Sequence, residues 1–365
     1  MPHSIITLLR RVLAVAVLLV IAARVAPVAD TAAERISDEE FWRITTDFSE
    51  RAGTFLSDNL LSNERWFQHV LPSLVQRARQ NRVYVGVGPE QNFTYIVALK
   101  PTMAFIVDIR RGNFDFHLIY KALFELSVDR AEFVSRLFSR PRPDGLNAKS
   151  SAEEVFTAVA NAQASDTLYS RNMRAIVNHL TKTHQFQLSS ADILRMQHIY
   201  NALYVYGPSI QYSTTTNAGR RITREPTYAE LMRAADQGGF EHSFLASEEA
   251  FLWLKKFETE NRLVPVMGDF AGPKTLRAVG QYLSERNATV SAFYLSNVEE
   301  YLKQEGKQTA FCANASTLPI DDTSTFIRSS RSGTPDLGFE LVSELSPMKA
   351  DLIACNAVNE VRSEK

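Results

Sequence analysis

The stretch RVYVGVGPEQNFTYIVALKPTMAFIVDIRRGN, Arg82 to Asn113, constrains the fold of this chain more than any other. Arg82 to Val87 is a β-branched and aromatic run that ends in glycine, the pattern of a strand. Asn92 to Leu99 reads as a helix, and Lys100-Pro101 stops it. Met103 to Ile109 is nearly all apolar, as expected of a strand buried on both faces of a parallel sheet. Strand, helix and strand in this space form a βαβ unit with a right-handed crossover.

The unit carries polar residues where a ligand would meet it. Gly86 and Gly88 end the first strand, and glycine there permits a tight turn and close approach of a ligand. Asp108 ends the second strand. In dinucleotide and adenosyl sites an acidic residue at that place accepts hydrogen bonds from ribose hydroxyls. The competing reading of both features is structural: a tight turn and a helix-capping aspartate. Glu90, Gln91 and Asn92 follow the turn and either cap the helix or face polar groups of a ligand. Arg110 and Arg111 lie beyond the second strand. They serve either to grip a carboxylate or phosphate of a substrate or as plain surface charge.

The α/β pattern returns late in the chain. Arg262 to Gly272 reads as a strand and turn, and Pro273 opens a helix. Ala288 to Asn297 is another strand, VEEYLKQEGKQTAFCANAS a helix, and Thr323 to Ser330 a strand; one more helix or hairpin follows. The intervening sequence is helical, apart from a loop at Arg140 to Ser151 and a polar, aperiodic one at Ser213 to Thr227. Ahead of the first strand, Ile36 to Leu61 reads as a helical entry with a Ser37–Glu40 capping box. A second helix, capped by Ser62, follows it. The expectation is an α/β fold: a Rossmann-like, mostly parallel sheet with helices on both faces. Its core is split between residues 82–112 and 261–365. Residues 34–81 form N-terminal helices, and 113–260 form a large helical insertion between the second and third strands, a candidate lid.

Composition narrows the function. The 365 residues carry a formal net charge of −1, so nothing global points to nucleic acid or an anionic surface. The two cysteines, Cys312 and Cys355, either pair or sit as buried thiols. None of the seven histidines makes a metal-ligand spacing such as HxH or HExxH. His179 and His184 are five apart and share a helix face poorly, so no metal is expected. Arg10 and Arg11 precede the apolar run VLAVAVLLVIAA, which suits a signal peptide or an N-terminal membrane anchor over residues 1–33, with contact through residues 10–29. The protein is then exported to the periplasm or anchored in the inner membrane. It is cytoplasmic if translation begins later.

The order of these parts resembles a class I S-adenosylmethionine-dependent methyltransferase. VYVGVGPE is placed like that family's glycine motif, and FIVDIRR like its second strand with the ribose ligand, here Asp108. VPVMGDF is similar to the third strand, where Asp269 would face the adenine amine. FYLSN is similar to the fourth strand, after which the reacting groups lie. GVGPEQNFTYI, FIVDIRRGN and FYLSNVEEYL also resemble strings of a bacterial family of uncharacterised proteins. Two departures stand out: Tyr84 occupies an acidic position of the methyltransferase motif, and Glu90, after Pro89, replaces its third glycine. The resemblance implies S-adenosylmethionine as cofactor, held by Gly86, Gly88, Glu90, Asp108 and Asp269. Glu90 would receive its ammonium group. Asn297 and Glu299 take the catalytic places, with Glu299 as base. Asn92, Arg110, Arg111 and Ser296 contact a small-molecule acceptor. The alternative is an exported or membrane-anchored binding or scaffold protein, without catalysis, on the same fold.

Overall fold

The computed structural model describes residues 35–55, 57–212, 225–334 and 338–363. The expected signal or anchor segment, and residues 213–224 of the expected loop, lie outside them. Among the described residues no helix is long and apolar enough to cross a membrane.

Six strands form one sheet: β1 (Val83–Gly86), β2 (Met103–Asp108), β3 (Leu263–Met267), β4 (Val290–Ser296), β5 (Thr325–Thr334) and β6 (Gly338–Pro347), in the order β3-β2-β1-β4-β5-β6. The first five are parallel, and β6 runs antiparallel to β5. Every residue of β1, β2 and β3 is buried. Burial without alternation requires cover on both faces, which explains the unbroken apolar runs in the sequence. The class is therefore α/β with a mostly parallel sheet.

Neighbours β2 and β3 are separated in sequence by helices running from Arg111 to Thr259. One continuous hydrophobic cluster joins these helices to the sheet. Phe93, in the crossover helix Gln91–Leu99, meets Tyr120, Phe124 and Phe244 edge to face. Such aromatic pairs add about 0.5–1.5 kcal/mol each beyond their burial.

Several local expectations are corrected. The entry helix covers only Asp38–Asp47, with Ser37 Oγ accepting from the Glu40 amide at 3.1 Å. Beyond it the chain turns across the strand ends instead of continuing as a helix. The Glu50 amide donates to the Met267 carbonyl at 2.7 Å and the Gly53 amide to Ile109 at 2.8 Å. These bonds outweigh weak helix propensity in the run TTDFSERAG. The next helix begins at Leu71, where Pro72 fits the first turn, after a 3₁₀ turn at Phe67–Val70. Ser62 does not cap it; its hydroxyl donates to Gln91 and accepts from the Glu64 amide.

Near the end of the chain, Gly306, with φ +69°, splits the expected single helix into Val298–Gln304 and Gln308–Ala315. Both a hairpin (β5–β6) and a final helix (Met348–Ser363) follow. Cys312 and Cys355 form a disulfide between the last two helices.

The helix Asp166–Asn178 passes directly into a π-turn, His179–Thr183, closed by the His184 amide on the His179 carbonyl at 3.1 Å. A turn of this wider pitch places residues five apart on one side. The rings of His179 and His184 are 4.8 Å apart, which corrects the expectation that they do not share a face.

Candidate functional site

In an open parallel sheet, ligands bind beyond the C-terminal strand ends where the strand order reverses, here between β1 and β4. A cavity of about 790 Å³ lies there. It is bordered by Gly88, Asp108, Asp269, Ser296 and Asn297, and by Glu64, which lies between the Asp38–Asp47 helix and the Phe67–Val70 turn.

The two glycines act differently. Gly88 has φ +79°, a backbone conformation that favours glycine, and its carbonyl accepts from His117 Nε2 at 2.9 Å. Burial pushes His117 down to about 4, so the ring is neutral and holds the turn by an Nε2–H donor. Gly86 makes room instead: a Cβ there would lie 2.0 Å from Asn92 Oδ1. Asn92 is buried and turned toward the loop. Its Nδ2 donates to the carbonyls of Val87, Gly88 and Pro89 at 2.9, 3.1 and 2.8 Å, and its Oδ1 accepts from Tyr84 at 2.8 Å. Tyr84, the first departure from the methyltransferase pattern, thus supports the glycine turn from below.

Asp108 reaches the cavity from the end of β2, already engaged. Arg110 donates to it from its amide at 2.9 Å, from Nε at 2.9 Å and from Nη2 at 2.6 Å. Arg110 also borders the cavity and reaches the Asp58 carbonyl. Arg111 leaves the site: it pairs with Asp192 at 3.0 Å and Asp115 at 3.4 Å and lies over Phe114. Beyond β3, Asp269 accepts from the Ala271 amide at 2.9 Å and from Lys307 at 3.1 Å.

Ser296 ends β4 with φ +49°, a strained conformation for a residue with a side chain, costing about 1–3 kcal/mol. Its hydroxyl donates to Glu64 at 2.6 Å. Asn297 follows it on the cavity wall. Glu299 does not border the cavity. Its carboxylate is held by Arg328, which also binds Asp351 at 2.6 Å and so ties β5 to the final helix.

Sequence reasoning missed Glu64. The residue is almost fully buried and takes four hydrogen bonds from neutral donors. Tyr294 and Ser296 donate to one carboxylate oxygen at 2.6 Å each; Gln91 and Ser343 donate to the other at 2.9 and 3.2 Å. No one-dimensional signal marks it, since these donors lie 27 to 279 residues away. Glu90, by contrast, is fully buried outside the cavity wall. One of its oxygens accepts from the Ser62 amide at 3.0 Å, and the other has no hydrogen-bond partner among the described residues. Burial pushes its carboxyl up to about 7, against the Ser62 amide and with the help of the Glu64 charge.

The cavity therefore mixes fixed negative groups (Glu64, Asp108, Asp269) with positive ones (Arg110, Lys307) and aromatic surface from Phe55, Tyr212 and Tyr301. Such a lining suits a small zwitterion attached to a flat ring. A family model described as a domain of unknown function, DUF7790, matches residues 60–346. No curated protein matches the chain.

Proposed function

The chain belongs to the DUF7790 family, whose description carries no activity, and we propose from its cavity that it is methyltransferase-like: it binds S-adenosylmethionine and acts on a small-molecule acceptor. One observation carries the reading. Gly88, Asp108, Asp269 and Ser296 follow or end four different strands, yet all border a single cavity at the reversal of strand order. The strand order supports the finer description of the fold, a Rossmann-like sheet with residues 113–260 inserted between β2 and β3.

In this reading Asp108 holds the ribose. A carboxylate offers about four acceptor positions, so after its three bonds to Arg110 one remains for a hydroxyl. Asp269 faces the adenine amine. Glu64 lies toward the methionyl part, where sulfonium and ammonium charges need a negative partner. Asn297 orients the acceptor, and Glu299 keeps the structural role given by Arg328. Transfer of a methyl group depends mainly on alignment of donor and acceptor, so no conspicuous acid–base pair is required.

The Cys312–Cys355 disulfide favours a second reading, an exported binding protein, because such bonds persist in oxidising compartments where adenosylmethionine is not made. Calorimetric titration of the purified protein with S-adenosylmethionine and S-adenosylhomocysteine separates the two. Micromolar binding, weakened at least about tenfold by Asp269→Ala with unchanged thermal stability, is the expected result. Failure of the folded protein to bind either compound overturns the cofactor reading and leaves the second.

A further inference from the structure

A second polar cluster lies in the helical block. Glu125 stands near the end of the helix Arg111–Leu126, and His179 and His184 flank the π-turn. His179 Nε2 is 2.5 Å and His184 Nε2 2.6 Å from the same oxygen, Glu125 Oε2. The three potential ligand atoms all lie within 4.8 Å of one another. We propose that Glu125, His179 and His184 form a binding site for a divalent first-row transition ion of the zinc type.

The chemistry of the set points there. Two imidazole nitrogens and one carboxylate oxygen, with a further position for water, are the donors that zinc and non-haem iron take in open sites. A tetrahedral ion with bonds of about 2.0 Å keeps its donors about 3.3 Å apart. The contacts of 2.5 and 2.6 Å need to open by less than about an ångström, and the two imidazole nitrogens, within 4.8 Å of each other, to close by up to about 1.5 Å, a side-chain adjustment.

The surroundings fit the same purpose. Asp38 Oδ1 lies 2.9 Å from His184 Nδ1 without a hydrogen bond between them, close enough that a small ring rotation would let it orient a metal-bound imidazole and leave Nε2 for the ion. Lys121 donates to the other Glu125 oxygen at 2.7 Å, which leaves Oε2 as a single ligand atom. Lys121 balances one of the two nearby carboxylates, so the site retains negative charge for a dication. Phe186 stacks on His184 at 5.0 Å, with Phe41 and Trp42 stacked on Phe186 behind it, an apolar wall. The cluster is nevertheless partly exposed, with 17% of the His179 side chain accessible, so an ion can enter from solvent. A π-turn costs regular helical hydrogen bonding and recurs at functional positions. Here its effect is to bring the two histidines onto one carboxylate. The ion would also link the Asp38–Asp47 helix, through Asp38, to the helical block, and binding only the folded state it would stabilise the protein.

The test uses the full-length protein, stripped with a chelator, then titrated with Zn²⁺ by calorimetry and with Co²⁺ by visible absorption. One equivalent of each is expected, with a higher melting temperature and release by chelator. The double variant His179→Ala/His184→Ala, shown folded by circular dichroism, is expected to lose that equivalent. Asp38→Asn, on a half-exposed residue, is expected to weaken binding about 10–100-fold. No binding by the folded wild type overturns the proposal, as does an undiminished equivalent in the double variant. Should the double variant not fold, unchanged Co²⁺ affinity and spectrum in Asp38→Asn overturn it.

Discussion

Glu64 and Glu125 are both carboxylates removed from water, and they are satisfied in opposite ways. Glu64 takes hydrogen bonds from Tyr294, Ser296, Gln91 and Ser343, all neutral. Among the described residues no lysine or arginine pairs with it. Glu125 is met by Lys121 and two histidines. Burial alone would raise the Glu125 carboxyl, but the two histidines and the charge of Lys121 hold it well below the usual carboxylate range. Neutral donors disperse a charge without cancelling it. Glu64 therefore meets the cavity with its charge dispersed but unpaired, whereas Glu125 is paired directly with a cation.

The largest test of this contrast is Glu125→Ala, which leaves Lys121 buried without its carboxylate. A loss of about 3–5 kcal/mol in urea unfolding is expected. A loss below about 1 kcal/mol would show that the helical cluster carries no locked charge pair.

Glu90 comes next. Its folded carboxyl titrates near 7, above the ordinary value of 4.5, so the folded state binds more protons than the unfolded. Its contribution is fully present below about pH 4.5 and is lost as pH rises through 7, by at most about 3 kcal/mol. Glu258, raised to about 8, and Asp115, raised to about 7, slope the same way. The informative quantity is therefore the difference from Glu90→Gln, which should be the more stable protein above pH 7. Parallel stability curves for the two proteins would remove Glu90 from the balance.

Glu64→Gln follows, since the amide leaves one or two buried donors without an acceptor. About 1–3 kcal/mol of stability should go, together with at least about tenfold in affinity for a cationic ligand. An equal loss for an uncharged analogue would mean that the residue shapes the cavity and does not charge it. Asp269→Ala should cost least, below about 1 kcal/mol, because its pair with Lys307 is solvent-exposed.

Legibility follows the same divide. The strands were readable because cover on both faces writes continuous apolar runs, and the βαβ unit at 82–113 is the clearest case. Asp108 is readable as a candidate because it ends a strand of the βαβ unit, whereas Asp269 and Ser296 are candidates only through the methyltransferase resemblance. The path of residues 48–55 was not readable, because hydrogen bonds from Glu50 to Met267 and from Gly53 to Ile109 set it, and neither partner is near in sequence. Glu64 was invisible for that reason. The π-turn leaves composition unchanged and only shifts phase, so the pairing of His179 with His184 runs against the spacing rule that helices teach.

The location of Glu64 also bears on how the molecule comes into being. Synthesis proceeds from the N-terminus, and two of its donors, Tyr294 and Ser343, follow it by 230 and 279 residues. A carboxylate withdrawn from water without donors costs several kcal/mol, so it must remain hydrated on the nascent chain until those strands arrive. The cavity at the strand ends is thus among the last features that can be completed as the chain is made. A molecule that binds it would report on completion of the sheet and would have no purchase on an unfinished chain.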